Sequence, residues 1–278
     1  MSGTLFVVAT PIGNLADLSN RAKDVLAQVD VIAAEDTRHT GRLLSHLMLR
    51  KPLFALHDHN ESEAANTLLD RLERGDDIAL VSDAGTPLVS DPGYRLVTAA
   101  HDRGITVCPV PGPSAAIAAL SAAGLASDRF TFEGFLPART AARKQRLASL
   151  ATESRTLVFF ESRHRITASL ADMIDAFGGD RRACIARELT KLHEQVVRAT
   201  LTNLVDALQR GDIDARGEFV LVVEGCRETT DSAYDHDRLL TALATRLPAK
   251  EAARLAADIT GERRNALYAR LLELTPSK

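Results

Sequence analysis

Ser82-Asp-Ala-Gly-Thr-Pro-Leu-Val-Ser-Asp-Pro-Gly93 is the stretch that decides the fold. It follows the apolar run Ile78-Ala-Leu-Val81, which reads as a buried strand, and precedes a helical pattern carrying Leu96, Val97 and Ala100. Asp91 suits an N-cap and Pro92 a first helical position, where the amides otherwise lack partners. Asp83-Ala-Gly-Thr-Pro87 is different: an irregular, small-residue segment at the carboxyl end of a strand, where open α/β sheets hold ligands. Gly85 permits close backbone approach and a left-handed φ. Taken alone, the stretch is equally well an ordinary βα loop.

The same rhythm extends on both sides. Leu5-Phe-Val-Val-Ala9 is a continuous apolar run ended by Thr10-Pro-Ile-Gly-Asn14, and Val31-Ile-Ala-Ala34 and Leu53-Phe-Ala-Leu56 are two more strands. Helices fall between them, through Ala22, Val25, Leu26 and Val29, then Leu43, Leu44 and Leu47, then Leu68, Leu69 and Leu72 up to Gly75. Thr106-Val-Cys-Pro-Val110 is Pro-interrupted and belongs near a sheet edge. Alternating strands and helices imply a mostly parallel, helix-covered sheet. Ser114 is placed to cap the helix that runs to Ala123, and Gly124-Leu-Ala-Ser-Asp128 reads as a domain boundary.

Beyond it, Phe130-Thr-Phe-Glu-Gly-Phe135 alternates as a half-solvated strand does. Thr156-Leu-Val-Phe-Phe160, Ala183-Cys-Ile-Ala186, Gln195-Val-Val-Arg-Ala199 and Phe219-Val-Leu-Val-Val223 are further strands, with helices over 138–151, 164–177 and 202–210. That pattern gives a mixed sheet ending near Gly225. After a polar linker, 227–237, three short helices follow, the last two joined as in a helix-turn-helix. The expected organisation is an N-terminal α/β domain over 1–123, a second α/β domain over 124–226 and a helical tail over 238–278. Spacing alone favours the tail as a helical cap over a nucleic-acid-binding module.

Of 278 residues, 45% are apolar and 26% charged, the composition of a globular protein. Without an apolar stretch of about 18 residues, no membrane span is expected, and the start lacks the build of a signal peptide. Cys108, Cys184 and Cys226 read as reduced thiols of a cytoplasmic protein rather than disulfide or zinc ligands. A net charge of −3 argues against a globally basic nucleic-acid coat, so RNA contact would need local patches. Arg139, Arg143, Lys144 and Arg146 form one such cluster, usually a solvated helix face; Arg163-His-Arg165 and Arg263, Arg264 and Arg270 add others.

Polar clusters stand just past five strand ends: Pro11 and Gly13, Glu35-Asp-Thr-Arg38, His57-Asp-His-Asn-Glu61, Asp83-Ala-Gly-Thr86 and Pro111-Gly-Pro-Ser114. Parallel strands share one carboxyl edge, so these clusters would ring a single cleft. His57 and His59 diverge on an extended segment and lack a third ligand, so no metal is expected. Dinucleotide, P-loop and nucleophile-elbow motifs are absent.

Val8-Ala-Thr-Pro-Ile-Gly-Asn-Leu15, Ala34-Glu-Asp-Thr-Arg38, Leu56-His-Asp-His-Asn-Glu61, Ser82-Asp-Ala-Gly-Thr-Pro87, Pro111-Gly-Pro-Ser-Ala115 and Phe160-Glu-Ser-Arg-His-Arg165 occur in that order. Together they resemble the bacterial 16S ribosomal RNA (cytidine-2′-O)-methyltransferases of the tetrapyrrole methylase superfamily. The resemblance implies two α/β domains, a homodimer, and S-adenosylmethionine (S-adenosyl-L-methionine) held in the cleft. By position the cofactor would meet Pro11, Gly13, Asp83, Gly85, Leu88, Val89, Ser114, Ala115, Phe160 and Leu189. The first turn, Thr10-Pro-Ile-Gly13, departs from the fuller Gly-rich motif of the tetrapyrrole-modifying relatives and points to the RNA-modifying branch. The implied substrate is 16S rRNA, presented in the small ribosomal subunit. Asp36, His57 and Glu61 are candidates to accept the ribose proton, and Arg38 to steer a phosphate or the developing alkoxide. Two rivals follow from the same residues: a tetrapyrrole-precursor methyltransferase gripping propionates with arginines, and a non-enzymatic RNA-binding factor.

Overall fold

A computed structural model of the chain describes residues 2–57, 60–226 and 236–274. The first sheet holds β1 (Thr4–Val8), β2 (Val31–Ala34), β3 (Leu53–Ala55), β4 (Ile78–Val81) and β5 (Thr106–Val110). All its pairings are parallel, in the order β3-β2-β4-β1-β5, which puts the Pro109-bearing strand at an edge as expected. Every residue of β2 and β4 is buried, so neither strand shows alternation. α1 (Asn20–Gln28) and α2 (Thr37–His46) pack on one face, where Val25, Leu26 and Leu44 meet Val8, Ile32 and Val81. α3 (Glu61–Glu73) and α4 (Tyr94–Asp102) cover the other, where Leu68, Leu69 and Leu96 meet Leu5, Ile78 and Leu80. Neighbouring β1 and β4 therefore send their connections to opposite sides of the sheet. That topology opens a crevice at their carboxyl ends.

The second sheet runs β6 (Phe130–Phe135), β7 (Thr156–Ser162), β10 (Glu218–Val223), β8 (Arg182–Arg187), β9 (Gln195–Thr200). Only β6 and β7 pair in parallel, which makes it mixed. Period-two alternation divides its faces. Leu157, Phe159, Leu221 and Val223 face a core shared with α6 (Thr140–Leu150), α7 (Ile166–Phe177) and α8 (Leu201–Arg210). Val158, Cys184, Val220 and Val222 face α5 (Ala115–Ala122) through Ala116, Ala119 and Leu120. The chain thus crosses between cores at Pro111-Gly-Pro113, before α5, whereas the expected boundary at Gly124 lies after it. A separate unit holds α9 (His236–Ala244), α10 (Ala249–Thr260) and α11 (Arg264–Leu274) around Leu240, Ala252, Ala256, Leu267 and Leu271. Most of the expected linker lies outside the described residues. Among those described, no helix is long and apolar enough to cross a membrane.

Two local expectations are corrected. α4 does not start at Asp91 and Pro92; Gly93 occupies its N-cap with φ +122°. A Cβ at Gly93 would stand 2.9 Å from Leu80 Cδ2, so the chain passes β4 too closely for a side chain there. The basic cluster on α6 is only partly a solvated face: Arg139, Lys144 and Arg146 are exposed and Arg143 is not. Arg143 is buried and donates to Asp172 at 2.7 Å, Lys144 pairs with Asp175 and Asp172, and Arg146 pairs with Glu133. These pairs clamp α6 onto α7 and β6.

Asp172→Ala would leave the Arg143 guanidinium buried without its counter-charge. The expected loss is about 3–5 kcal/mol in chemical denaturation, most of it restored when Arg143 is replaced by Met in the same chain.

Candidate functional site

The loops leaving β1 and β4 are tied together by a reciprocal backbone pair. Thr10 N–H donates to Gly85 O at 2.8 Å and Gly85 N–H to Thr10 O at 3.1 Å, while Thr10 Oγ1 donates to Ser82 O. Gly85 adopts φ +86°, and a Cβ there would stand 3.3 Å from Ile12 Cγ2. Thr86 Oγ1 donates to Pro113 O at 3.0 Å, tying the same loop to the segment that enters α5.

Above this floor lies a cavity of 420 Å³, within the usual range for a small-molecule site. Asp83, Gly85 and Val89 line it from the central loop, Ser114 and Ala115 from the start of α5, Phe160 from β7, and Leu189 from the segment after β8. Ser114 holds the N-cap position without capping through its side chain, and the residue faces the cavity. Phe160 is braced edge-on by Phe132 and Phe135, with ring centroids 4.9 and 5.6 Å away.

Pro11, Gly13 and Leu88 lie outside the lining. From the first turn it is Ile12 that reaches the cavity. Gly13 packs against the second lobe, where a Cβ would come within 2.4 Å of Lys191 Cγ. Leu88, at φ +71°, packs into the core beneath the sheet.

Left-handed residues concentrate on both sides of the cavity. Leu88 and Ser90 have φ of +71° and +72°, and Glu188 and Thr190 have +49° and +65° across from them. A β-branched threonine there is strained, and such strain persists only where the surroundings over-determine it. Here they do. Glu188 Oε1 accepts the Glu218 N–H, Lys191 bridges Glu188 and Glu218, and Glu194 accepts the Thr190 N–H at 2.6 Å. Burial opposes the Glu188 anion, but the Glu218 N–H and the Lys191 ammonium outweigh it and hold its carboxyl below the ordinary value. Arg187, 6% exposed, donates to Arg216 O and His193 O and pins the base of the segment.

None of the four rim candidates belongs to the cavity lining. Asp36 N–H donates to Asp83 Oδ1 at 3.0 Å, which fixes the first turn of α2 to the central loop. Its carboxylate caps α2 through Arg38 N–H and takes two bonds from the Arg38 guanidinium. Those side-chain bonds hold the Asp36 carboxyl well below the usual carboxylate range. Glu61 Oε1 accepts the N–H groups of Gly93 and Arg95, both at 3.0 Å, so it supplies the α4 cap expected of Asp91. His57 N–H donates to Asn60 Oδ1; Asp58 and His59, and with them the histidine-pair reading, lie outside the described residues.

Several lining residues were not among the expected site residues. Glu35 adjoins Asp36, yet it is Glu35 that lines the cavity. Glu161, 2% exposed, accepts from Ser169 Oγ at 2.6 Å and pairs with Arg165. Ser162 and Glu218 meet only through the β7–β10 register.

Two α/β lobes enclosing a cavity at the carboxyl edge of a parallel sheet define a two-lobed α/β enzyme fold. A solved structure of uroporphyrin-III C-methyltransferase from Thermus thermophilus, complexed with S-adenyl homocysteine, shares it. The TM-score is 0.54 at 18% identity, over 80% of this chain and 97% of that one. The family model for tetrapyrrole (corrin/porphyrin) methylases matches residues 4–205, and the chain belongs to that family. The model of the RsmI C-terminal HTH domain matches residues 230–275. Proteins named ribosomal RNA small subunit methyltransferase I are similar over nearly the whole length. That of Vibrio cholerae is 53% identical over 266 residues, 95% of this chain and 92% of the relative. That of Pseudomonas aeruginosa is 53% identical over 275 residues, 98% of each.

Two measurements probe these assignments. Glu61→Ala should cost about 1 kcal/mol in urea unfolding, the usual loss of a helix cap, and Glu61→Gln clearly less because an acceptor oxygen remains. In carbon-detected NMR the Asp36 carboxyl should stay ionised through the range where free aspartates titrate. Its titration should move upward in Arg38→Ala while staying below that range, because the N–H of residue 38 still donates to it.

Proposed function

We propose that this chain is a methyltransferase that carries the methyl group of S-adenosylmethionine to the ribose 2′-oxygen of a cytidine in 16S ribosomal RNA, acting on the assembled small subunit. The observation that carries this is the similarity, above half of all positions and across at least 95% of the chain, to proteins named ribosomal RNA small subunit methyltransferase I. The cavity suits the cofactor chemically. It is mainly apolar, with Ile12, Val89, Phe160 and Leu189 for flat and aliphatic parts, and it offers Asp83, Ser114 and close backbone at Gly85 for polar ones. The S-adenyl homocysteine of the uroporphyrin-III methyltransferase complex is the demethylated form of the same molecule.

When bound, S-adenosylmethionine supplies a methyl group already activated by a positively charged sulfur. The protein then mainly has to position the acceptor, a contribution of roughly 7–11 kcal/mol in well-aligned cases. Asp83, Gly85, Val89, Ser114, Ala115, Phe160 and Leu189 hold the cofactor. Pro11, Gly13 and Leu88 act on it indirectly, by shaping the backbone around Ile12 and Val89. The 2′-hydroxyl must lose its proton to a rim group. Glu61 is occupied as a cap, and Asp36 is tied to Arg38 and held at low basicity. His57 is therefore the proton acceptor in this reading, with Arg38 facing a phosphate or the developing alkoxide. The protein works in the cytoplasm as a homodimer.

Labelled methyl transfer tests the whole reading. Radioactivity should appear in a single 2′-O-methylcytidine when small subunits are offered, with one cofactor bound per chain in calorimetry. His57→Ala should lower turnover by about 10²–10⁴. Methylation of a porphyrinogen with none of RNA would overturn the substrate assignment. RNA binding without cofactor binding would overturn the activity.

A further inference from the structure

Helix α2 starts at the cavity rim, where Asp36 N–H is bonded to Asp83. The fifteen residues from 37 to 51 contain Arg38, Arg42, Arg50 and Lys51 and no Asp or Glu, within a chain whose net charge is −3. The helix is amphipathic. Thr40 and Leu44 are buried, while Arg38, His39, Arg42 and His46 are exposed. Arg38, Arg42 and His46 recur every four residues and so form one stripe along the helix. Eight residues of rise make that stripe about 12 Å long. Arg50 continues the exposed positive charge past the helix end, whereas Lys51 is turned inward to Val29 O.

What separates this face from the basic cluster on α6 is what the charges touch. On α6, Arg143, Lys144 and Arg146 are taken up by Asp172, Asp175 and Glu133. Among the described residues, Arg42 and Arg50 pair with no carboxylate. Arg38 is bonded to Asp36 yet keeps 87% of its side chain exposed. Cations that neutralise nothing in their own fold are available to an external anion. Two-fold pairing of this face with its own copy would set like charges together, which disfavours it as a self-association surface.

We infer that the exposed stripe of α2, with Arg50, docks the phosphate backbone of the RNA that flanks the target nucleotide. The inference rests on the RNA reading above and adds a location to it. A nucleotide delivered to the cavity for ribose chemistry carries phosphates on both sides, and one side of the strand must leave across the rim. A row of cations beginning at that rim gives the departing strand successive contacts without reading its bases, as phosphate contacts do. Base identity and the shape of the subunit are left to other elements.

The test is the salt dependence of binding to a 16S rRNA fragment and to small subunits, measured by fluorescence anisotropy in wild type, Arg42→Gln/Arg50→Gln and Arg42→Lys/Arg50→Lys. Each lost phosphate contact should reduce the slope of log affinity against log salt by about 1, so the glutamine pair should lose about 2 and the lysine pair should keep most of it. Both variants should bind S-adenosylmethionine as wild type does and keep its circular dichroism, since neither position touches the cavity. A second pair, Arg254→Gln/Arg264→Gln in the terminal helices, serves as comparison. If the α2 glutamine pair retains the wild-type slope, the docking assignment is overturned, whatever the terminal pair does. If wild type itself shows no RNA affinity while binding cofactor, the substrate reading falls, and this inference with it.

Discussion

Two backbone hydrogen bonds between Thr10 and Gly85 hold the site together. They join the loops leaving the two neighbouring central strands, whose helices go to opposite faces of the sheet. Without them the loops would be two independent irregular segments, each free to collapse over the crevice. With them, Ile12 and Asp83 are fixed in the lining of the same cavity. Gly85 is required because the pairing places it at φ +86° with Ile12 close by. The cavity is therefore a property of topology first and of side chains second.

The rim is built by a second layer of bonds, and these change what its polar residues are for. Asp36 attaches α2 to the central loop through its N–H and caps the helix with its carboxylate. Glu61 attaches the start of α3 to the exit of the same loop, at Gly93 and Arg95. Both acidic residues thus position the loop from its two ends. An acidic residue beside a cleft invites a reading as a base, but an acceptor already filled by two N–H groups is part of the scaffold. The same logic applies to Arg143, whose charge is consumed by Asp172.

How much was legible beforehand follows from how local each signal is. β2 and β4 were readable because fully buried strands leave unbroken apolar runs; β6 was readable as a strand, but its burial does not alternate, since the register shifts between Phe132 and Gly134. The central-loop half of the cavity was equally readable, since Asp83, Gly85 and Val89 lie within one loop. In the second-lobe half Phe160 and Leu189 were reached only through the family resemblance, and the rest was not readable. Glu161 and Ser162 face Phe219 and Glu218 only through antiparallel register, and such pairing leaves no trace in either segment alone. Gly93 was missed as the α4 cap because its cause is the proximity of Leu80, a contact across elements. The burial of Arg143 was hidden for the same reason, since its partner Asp172 lies on α7.

Gly13 has a consequence for the wall of the site. Its bare backbone is where the strained segment of the second lobe, at Thr190 and Lys191, rests against the first. Lys191 also lines the cavity. A side chain at position 13 would push on that lysine, so the emptiness of one residue in the first turn sets the shape of a wall contributed by the other lobe.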